Sequence, residues 1–458
     1  MIQMSKQAIY EEVKNLEQLA RGTSRFLWSN PELGGNEKVS ADYMRNLMKQ
    51  EGFIIVNEEK LEHAFYAEYG TGKPVIAILG EYDALPKLSQ KVCETPDPVE
   101  AGAPGHGCGH NLLGTAAATA AIALKRYIEK ENLTGTVRFY GCPEEELLCG
   151  KVKMAYYQMF KGCDLAISWH PMSANQVMNK AYLASSSAKF YFSGTTSHAG
   201  FAPERGRSAL DAVELMNVGC NYLREHVTSA ARIHYTTDSC GFPPNIVPDK
   251  AVAWYCVRAP RIADVKEILE RIKKVAKGAA MMTETEVDIK IEYGCCEYNP
   301  NDKFAELTHQ NLVEAPLPEY TEEEIAFAKK LQATLVPEIL AKDEKVYEAE
   351  GCGMSNKVSP ADLYLKTPLN ASSDSGDVSF MMPMNLFATA CWPVGVAPHT
   401  WQATAAAGSS LGEKGAILAA NVIAGTAYDL LTNPELVEEI KAEFEARKTE
   451  EYVPMYFE

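Results

Sequence analysis

A chain of 458 residues is too long for one ordinary hydrophobic core, so we expect two or more domains. Its hydrophobic share of 46% and its charged share of 23% are typical of a soluble globular protein, and its formal net charge of −17 argues against nucleic acid and anionic membranes as partners. The most apolar segments, 114–124 and 415–431, are short or interrupted by polar residues, which predicts buried helices rather than membrane spans.

The cysteines bear on the cellular compartment. The twelve cysteines are scattered, without the paired spacing of a zinc ribbon or of a small disulfide-rich domain. The first six residues also lack the basic-then-apolar plan of a signal peptide. Because reduced thiols are the default for such a chain, we expect a cytoplasmic protein.

In chain order, apolar spacing predicts helices over 5–29 and about 37–51, and then strands at 53–56, 64–68 and 75–80. The last strand is an almost continuous apolar run, which is typical of a central strand buried on both faces. Asp83 follows it directly. Sites gather at the carboxyl ends of strands in open α/β sheets, so Asp83 is a candidate to orient an imidazole ligand, with an exposed strand-end aspartate as the alternative.

The stretch 105–111, with the sequence GHGCGHN, is the strongest local signal. Three glycines in seven residues exclude a regular helix interior and give bare backbone that can pass close to an ion. Within this stretch, Cys108 and His110 combine a thiolate with an imidazole, a mixture that transition metals take. A glycine-rich turn with an incidental cysteine and histidine is the alternative. The small apolar residues of 112–124 predict a buried helix just after the loop.

Three consecutive glutamates, 144–146, follow a strand predicted at 137–141. Like charges this close raise each other's pKa unless a cation lies among them, so the turn favours a cation site over a solvated acidic turn. The next strand, predicted at 165–168, leads to His170, although a lone histidine at a strand end is more often a plain surface or core residue.

A second series of predicted strands and helices begins at about residue 184 and indicates an inserted domain. Strands are predicted at 188–192, 233–237, 251–257 and 286–293, with helices at 207–227 and 262–279 between them. The order β-α-β-β-α-β is the ferredoxin-like plan. We therefore predict a catalytic domain in two parts, 1–184 and 296–458, interrupted by an inserted domain at 185–295.

Together, the chemistry-bearing residues form a donor set of one thiolate, a carboxylate and three imidazoles: Cys108, His110, one of the glutamates 144–146, His170 and His399. This mixture suits Zn, Mn, Fe or Co. Five ligands exceed what one tetrahedral ion takes from protein, so a two-metal site is the natural interpretation. Such a site activates a water molecule, and an adjacent glutamate that is not a ligand would move the proton.

These residues lie in short motifs whose order and spacing resemble the co-catalytic metallopeptidase/aminoacylase family, and more closely its amidohydrolase branch. The match runs from about residue 30 to about residue 420. The motifs are Cys108-Gly109-His110, Pro143-x-Glu145-Glu146, Trp169-His170-Pro171, Gly194-x-x-x-His198-Ala199, Gly206-Arg207-Ser208-Ala209, His399 before a closing helix, and Asp83-Ala84-Leu85-Pro86.

The resemblance implies an α/β catalytic domain with a mixed sheet and a dinuclear metal site, and an inserted ferredoxin-like α+β domain that serves as lid and dimerisation surface. It implies two divalent ions, Mn or Zn, and Glu145 as general base and acid, with Asp83 behind the ligands. The implied metal ligands are Cys108, His110, Glu146, His170 and His399.

On the inserted domain, the resemblance implies that His198 reaches the partner subunit's site and stabilises the oxyanion. Asn245 and Arg258 would hold the carboxylate of the substrate, and the guanidinium fork of arginine suits that task. Two departures from the family pattern stand out. Glu144 extends the usual glutamate pair to three, and Asn111 and Leu113 stand where many amidohydrolases carry Asp and His.

The expected activity is hydrolysis of the amide bond of an N-acyl amino acid, with p-aminobenzoyl-glutamate preferred and dipeptide hydrolysis or another N-acyl-amino-acid deacylation as alternatives. The partner would be a small amide that carries a carboxylate. We expect a homodimer through the inserted domain, or a heteromer with a sister subunit. A cysteine hydrolase that uses Cys108 with His110 or His106, and a non-catalytic binding protein, are the competing classes.

Overall fold

The computed structural model describes residues 2–241, 243–366, 371–448 and 451–455. Fifteen helices lie in these ranges: α1 Ile2–Asn15, α2 Glu17–Ser29, α3 Lys38–Gln50, α4 His110–Glu131, α5 Gly150–Tyr156, α6 Ala209–Leu223, α7 Ile262–Thr283, α8 Asp302–Glu314, α9 Glu322–Gln332, α10 Pro337–Val346, α11 Leu363–Lys366, α12 Ser375–Met381, α13 Trp401–Ala407, α14 Ser410–Thr432 and α15 Pro434–Arg447. Eleven strands accompany them: β1 Ile54–Glu58, β2 Leu61–Thr71, β3 Val75–Glu81, β4 Gly135–Cys142, β5 Leu165–Met172, β6 Gln176–Val177, β7 Ala184–Ser193, β8 Arg232–Ser239, β9 Lys250–Ala259, β10 Glu286–Cys295 and β11 Met384–Ala390.

The chain divides into two compact units. Unit 1 consists of Met1–Lys180, Asn299–Pro368 and Val378–Tyr452. Unit 2 consists of Ala181–Tyr298, Leu369–Asp377 and Val453–Glu458.

Unit 1 contains a seven-stranded sheet in the order β1-β2-β4-β3-β5-β11-β6. The four central strands β4, β3, β5 and β11 run parallel, while β1, β2 and β6 pair antiparallel at the two sides. Strands β3 and β11 are buried along their whole length, as expected of near-continuous apolar runs inside a covered sheet. The predicted α/β class with a mixed sheet is therefore confirmed.

Small side chains allow α4 to pack closely on this sheet. A Cβ atom at Gly114 would lie only 2.6 Å from the carbonyl oxygen of Glu81, so the helix can lie against the end of β3 only with glycine there. Helix α14 packs on α4. By length and hydropathy α14 could cross a membrane, but 83% of its most apolar window is buried inside the protein, as predicted for a core helix.

Among the element boundaries that differ from the sequence-based prediction, two have a clear physical reason. The single helix predicted over 5–29 is two helices that meet at Leu16, a buried residue whose ψ is −1°. The apolar stripe continues through this bend, so periodicity could not reveal it. Strand β5 extends to Met172 because it pairs with β11 along the whole length of that strand, so His170 lies inside the strand rather than after it.

Unit 2 contains a four-stranded antiparallel sheet in the order β10-β7-β9-β8. In chain order its elements are β7-α6-β8-β9-α7-β10, which confirms the ferredoxin-like plan. Alternate residues of β9 are buried on the helix side, where the hydroxyl of Tyr255 donates a hydrogen bond to Asn217 of α6 at 2.5 Å.

A buried glutamate joins two helices of unit 1 through ion pairs, so its replacement should destabilise the fold. Glu413 of α14, 3% exposed, accepts hydrogen bonds from Arg21 and Arg25 of α2. We expect Glu413→Gln to lower the free energy of unfolding by about 2 kcal/mol, because two guanidinium groups lose a charged acceptor. Urea denaturation measures this change. Lys14→Ala removes an exposed pair with Glu11 and serves as the control, with an expected change near zero. Equal effects of the two variants would contradict the prediction.

Candidate metal centre

A left-handed glycine sets the geometry of the loop at 105–111. Gly109 has φ of +76° and stands at the N-terminal cap of α4, so Cys108 precedes the helix and His110 is its first residue. A Cβ atom at Gly109 would lie 3.0 Å from the Pro171 side chain and 3.1 Å from Trp392. The loop therefore needs glycine here both for its backbone conformation and for its close approach to neighbouring elements.

His110 is fully buried and is held by a carboxylate. Its Nδ1 lies 2.7 Å from Oδ1 of Asp83, and the other oxygen of Asp83 accepts the backbone N–H of Glu146 at 2.8 Å. The Nε2 atom of His110 is buried without a hydrogen-bond partner in the described part of the chain. A carboxylate on one ring nitrogen and an open second nitrogen is the usual arrangement of a metal-binding histidine.

The electrostatics of this pair follow from its burial. Burial lowers the pKa of His110, but the neighbouring Cys108 and Asp83 raise it by more, so the pKa of His110 lies well above its ordinary value. Conversely, burial raises the pKa of Asp83, but His110 lowers it to below its usual range. The ionised form of the Asp83 carboxylate is therefore favoured, and this form accepts the hydrogen bond from the imidazole of His110.

His170 on β5 faces the thiol of Cys108. The Sγ atom of Cys108 lies 3.3 Å from Nε2 of His170, and Nδ1 of His170 donates to the carbonyl oxygen of Pro171 at 2.8 Å. Burial, with the neighbouring His110, lowers the pKa of His170 to about 4, so its imidazole is neutral near pH 7. Burial, with the neighbouring Glu146, raises the pKa of the Cys108 thiol well above its ordinary value. A metal ion bound at this thiol would favour the thiolate and so offset the cost of burial.

The glutamate turn separates its three carboxylates. Glu144 has φ of +59°, its side chain pairs with Lys153, and its backbone N–H donates to Glu37 at 2.7 Å. Glu145 has a carboxylate oxygen 3.9 Å from Nε2 of His110. Glu145 and Glu146 thus belong to the centre, whereas the side chain of Glu144 is paired with Lys153 beside it.

Glu146 is the second of these two, and it lies beside His399. Its Oε2 is 3.5 Å from Nε2 of His399, and its Oε1 is buried without a hydrogen-bond partner among the residues described. Burial raises the pKa of Glu146 to about 7, and the neighbouring His110 offsets only part of that effect. A cation bound at this carboxylate would offset the cost of burying its negative charge.

The backbone of His399 is strained. Its φ is +63°, which a non-glycine residue rarely adopts, and such strain costs on the order of 1–3 kcal/mol. Its backbone N–H donates to the carbonyl oxygen of Gly107 at 2.8 Å, which ties the residue to the glycine loop. Backbone strain of this kind concentrates at functional sites.

The donors of unit 1 form three overlapping groups. Within each group the donor atoms lie within 4.8 Å of one another, and the groups are Cys108 with His110 and His170, Cys108 with Glu146 and His399, and Glu81 with His110 and Glu145. All five predicted ligands therefore lie at one place. The thiol, the imidazoles, the carboxylates and the two buried atoms without hydrogen bonds together fit divalent metal ions.

Sequence reasoning missed Glu81 and Lys151, which lie at the same place. Nζ of Lys151 is 2.6 Å from one carboxylate oxygen of Glu81, and both side chains are buried. The available signal was a carboxylate at the last position of an apolar strand, directly before the Asp83 motif.

Two polar residues of the glycine loop have packing contacts instead. His106 is buried with its Nε2 at 3.1 Å from the carbonyl oxygen of Leu27, and burial, with the neighbouring His110, lowers its pKa to about 3. The side-chain amide of Asn111 donates to Ser24 and to the carbonyl oxygen of Ala407, both at 3.1 Å. In the described structure His106 is thus bonded to backbone, which argues against it as the base of a cysteine hydrolase.

The remaining predicted residues, His198, Asn245 and Arg258, belong to unit 2. His198 and the turn at Asn245 meet there, because the backbone N–H of Ala199 donates to the carbonyl oxygen of Asn245 at 3.0 Å. Arg258 lies on β9, paired across the sheet with Ser185 of β7 and on the face opposite Tyr255. It is thus on a different element from His198 and Asn245.

The glycine loop generates a prediction for metal binding. Gly109→Ala should weaken binding of Zn²⁺ or Mn²⁺ by at least about tenfold, because the added Cβ displaces the backbone that carries Cys108 and His110. Isothermal titration of the metal-free protein measures this affinity. Gly102→Ala is the matched control, since Gly102 also has a positive φ of +82° but has open space around it. Unchanged affinity in Gly109→Ala would show that the loop geometry does not matter.

Comparison with known proteins gives independent evidence. Residues 184–281 match the peptidase dimerisation domain of the M20 family, which indicates assembly with another subunit. The chain is 41% identical over 435 residues to a subunit of the p-aminobenzoyl-glutamate hydrolase of Escherichia coli, covering 91% of this chain and 90% of that protein.

Two further relatives extend the comparison. The chain is 26% identical to the Xaa-Arg dipeptidase of Mus musculus, covering 98% of this chain and 94% of that protein. The crystal structure of a dinuclear metal-binding peptidase of the M20 family from Bacillus subtilis shares the fold, with a TM-score of 0.58 and 18% identity over 92% of this chain and 99% of that one. The chain therefore belongs to the M20 family of hydrolases that act on amide and peptide bonds, in the group that includes this p-aminobenzoyl-glutamate hydrolase subunit.

Proposed function

We propose that this protein hydrolyses the amide bond of an N-acyl amino acid, with p-aminobenzoyl-glutamate as the preferred substrate. The observation that carries the proposal is the single cluster of five metal donors in unit 1, with the carboxylate of Glu145 beside it. The 41% identity to a subunit of a p-aminobenzoyl-glutamate hydrolase supports the choice of substrate.

Cys108, His110, Glu146, His170 and His399 would hold two divalent ions, Mn or Zn. The two donor groups that share Cys108 support two neighbouring positions. When bound, the ions would supply Lewis-acid activation of a water molecule and of the scissile carbonyl group. Asp83 holds the ring of His110, so that its open Nε2 is presented to the centre.

Glu145 would be the general base and acid. Its carboxylate lies near His110 but is not a member of either donor group that contains Cys108, which suits a proton-transfer role. It would take a proton from the attacking water and give it to the leaving nitrogen. The separation of the three glutamates supports this assignment, because Glu144 is bound to Lys153.

His198 would stabilise the oxyanion from the partner subunit. Its Nδ1 accepts backbone N–H groups from Gly200 at 3.2 Å and from Phe201 at 3.1 Å, so the ring proton resides on Nε2. A histidine in this tautomer is a hydrogen-bond donor for a developing negative charge. Asn245, next to His198, and Arg258 would hold the substrate carboxylate.

The assembly would be a homodimer through unit 2, or a heteromer with a sister subunit. The matched dimerisation domain supports the first, and the second is supported by the Escherichia coli relative, which is by its name one subunit of its enzyme. None of the twelve cysteines, all of which lie in the described ranges, forms a disulfide, and this supports a cytoplasmic location.

A second candidate function is dipeptide hydrolysis. The similarity to a mouse Xaa-Arg dipeptidase over 98% of this chain favours it. The two functions share the metal centre and differ in the group that the substrate pocket accepts, so substrate competition separates them.

Removal of the metal tests the class of mechanism. Treatment with EDTA should abolish hydrolysis, and added Mn²⁺ or Zn²⁺ should restore it, because the water nucleophile depends on a bound ion. The assay compares p-aminobenzoyl-glutamate, other N-acyl-glutamates and a panel of dipeptides that includes Xaa-Arg. Activity that survives complete removal of metal would support a cysteine hydrolase instead.

Replacement of the proposed base tests the role of Glu145. Glu145→Gln should lower kcat by about 10²-fold or more while the metal content stays the same, because the amide cannot accept the proton. Glu144→Gln in the same turn is the matched control and should retain most of its turnover. An unchanged kcat in Glu145→Gln would remove Glu145 from the mechanism.

A further inference from the structure

We propose that Glu81 is an additional metal donor on the Nε2 side of His110, and that Lys151 is a positioning residue that holds Glu81 in place. The inference rests on the proposed function, since it concerns the same metal centre. It adds a buried carboxylate and a buried ammonium group to a set that otherwise contains only the residues of the sequence motifs.

The first observation is the position of Glu81. It is the last residue of β3 and 2% exposed, and its Oε2 lies 3.3 Å from Nε2 of His110. Since Asp83 occupies Nδ1 of the same ring, Nε2 is the nitrogen left for a ligand. A ring nitrogen and a carboxylate oxygen at this distance need a proton or a cation between them, and a metal ion can take that place.

The second observation is that this nitrogen needs a partner. Nε2 of His110 is fully buried and makes no hydrogen bond within the described ranges. The donor atoms of Glu81, His110 and Glu145 lie within 4.8 Å of one another, which is a spacing that one ion can serve. A cation at this point would satisfy the nitrogen and the facing oxygen of Glu81, and Glu145 would lie beside it.

The third observation is Lys151. It is fully buried on the first turn of α5, and its Nζ lies 2.6 Å from Oε1 of Glu81. Burying an ammonium group is costly unless it is closely paired. Lys151 is therefore held against Glu81, and this contact fixes the position of the Glu81 carboxylate. Lys151 occupies one oxygen of Glu81 and leaves the other beside His110, so that Glu81 offers a single oxygen to an ion.

The backbone fixes Lys151 relative to the glutamate turn. A Cβ atom at Gly150 would lie 1.7 Å from the carbonyl oxygen of Pro143, so only glycine lets α5 begin directly against that turn. Lys151 is the next residue. The turn that carries Glu145 therefore packs directly against the start of the helix that carries Lys151. This close packing suits a positioning role for Lys151.

A purely structural role for the pair makes a different expectation. If Lys151 and Glu81 only neutralised each other inside the core, the facing oxygen of Glu81 would have no effect on metal binding. Stability would change on mutation, but the number of bound ions would not. Metal stoichiometry therefore separates the two roles, and it does so without an activity assay.

The experiment loads metal-free protein with Zn²⁺ or Mn²⁺, and counts the ions by elemental analysis and their affinities by isothermal titration. The wild type should bind two ions. Glu81→Gln should keep one and bind the other about 10–100-fold more weakly. Lys151→Met should weaken the same ion, because Glu81 can then turn away from His110. Absorption spectra of the Co²⁺-loaded forms should change in both variants.

Two further variants guard against loss of stability as the cause. Glu81→Gln/Lys151→Met removes both buried charges, so its melting temperature without metal should exceed that of Lys151→Met, while the weak second ion remains. Glu413→Gln loses a buried carboxylate that is distant in sequence from Glu81 and Lys151, and this variant should still bind two ions. Two ions bound by Glu81→Gln with the affinity of the wild type would overturn the inference and leave the proposed function intact. A wild type that binds no ion would overturn both.

Discussion

The hydrogen bonds of Asp83 are the interaction on which the metal centre depends. One oxygen of this buried carboxylate holds the ring of His110, and the other accepts the backbone N–H of Glu146. Asp83 thereby joins the end of the central strand, the glycine loop and the glutamate turn. His110 depresses the pKa of this buried carboxylate, so its ionised form is favoured. The ionised carboxylate can hold both hydrogen bonds, which fixes His110 and the glutamate turn.

The rest of unit 1 supplies rigidity around this junction. Helix α4 lies on the sheet through small residues, and the glycine at 109 lets the loop pass close to Pro171 and Trp392. His399 is held in a strained backbone conformation and bonded to the same loop. The donors thus come from segments far apart in the sequence, yet each one is fixed by an element that packs in the core, which is the arrangement a preorganised site needs.

Much of this could be predicted from the sequence because the signals are local. An apolar run predicts the central strand, closely spaced glycines predict the loop, and the order of the motifs points to five donors that now lie together. Long-range effects could not be predicted. The extent of β5 depends on pairing with β11, so the place of His170 within a strand was out of reach. The separation of Glu144 from Glu145 and Glu146 depends on Lys153 and on a left-handed backbone. Glu81 was missed because a single carboxylate at a strand end carries no spacing signal.

We propose that five side chains of unit 1 hold two divalent ions at one place, with Glu145 beside them. Anomalous diffraction from crystals grown with Mn²⁺ or Zn²⁺ tests it most directly. We expect two neighbouring anomalous peaks, one bordered by Cys108, His110 and His170 and the other by Cys108, Glu146 and His399. Peaks away from these five residues and Glu81, or no peak among them, would contradict the account.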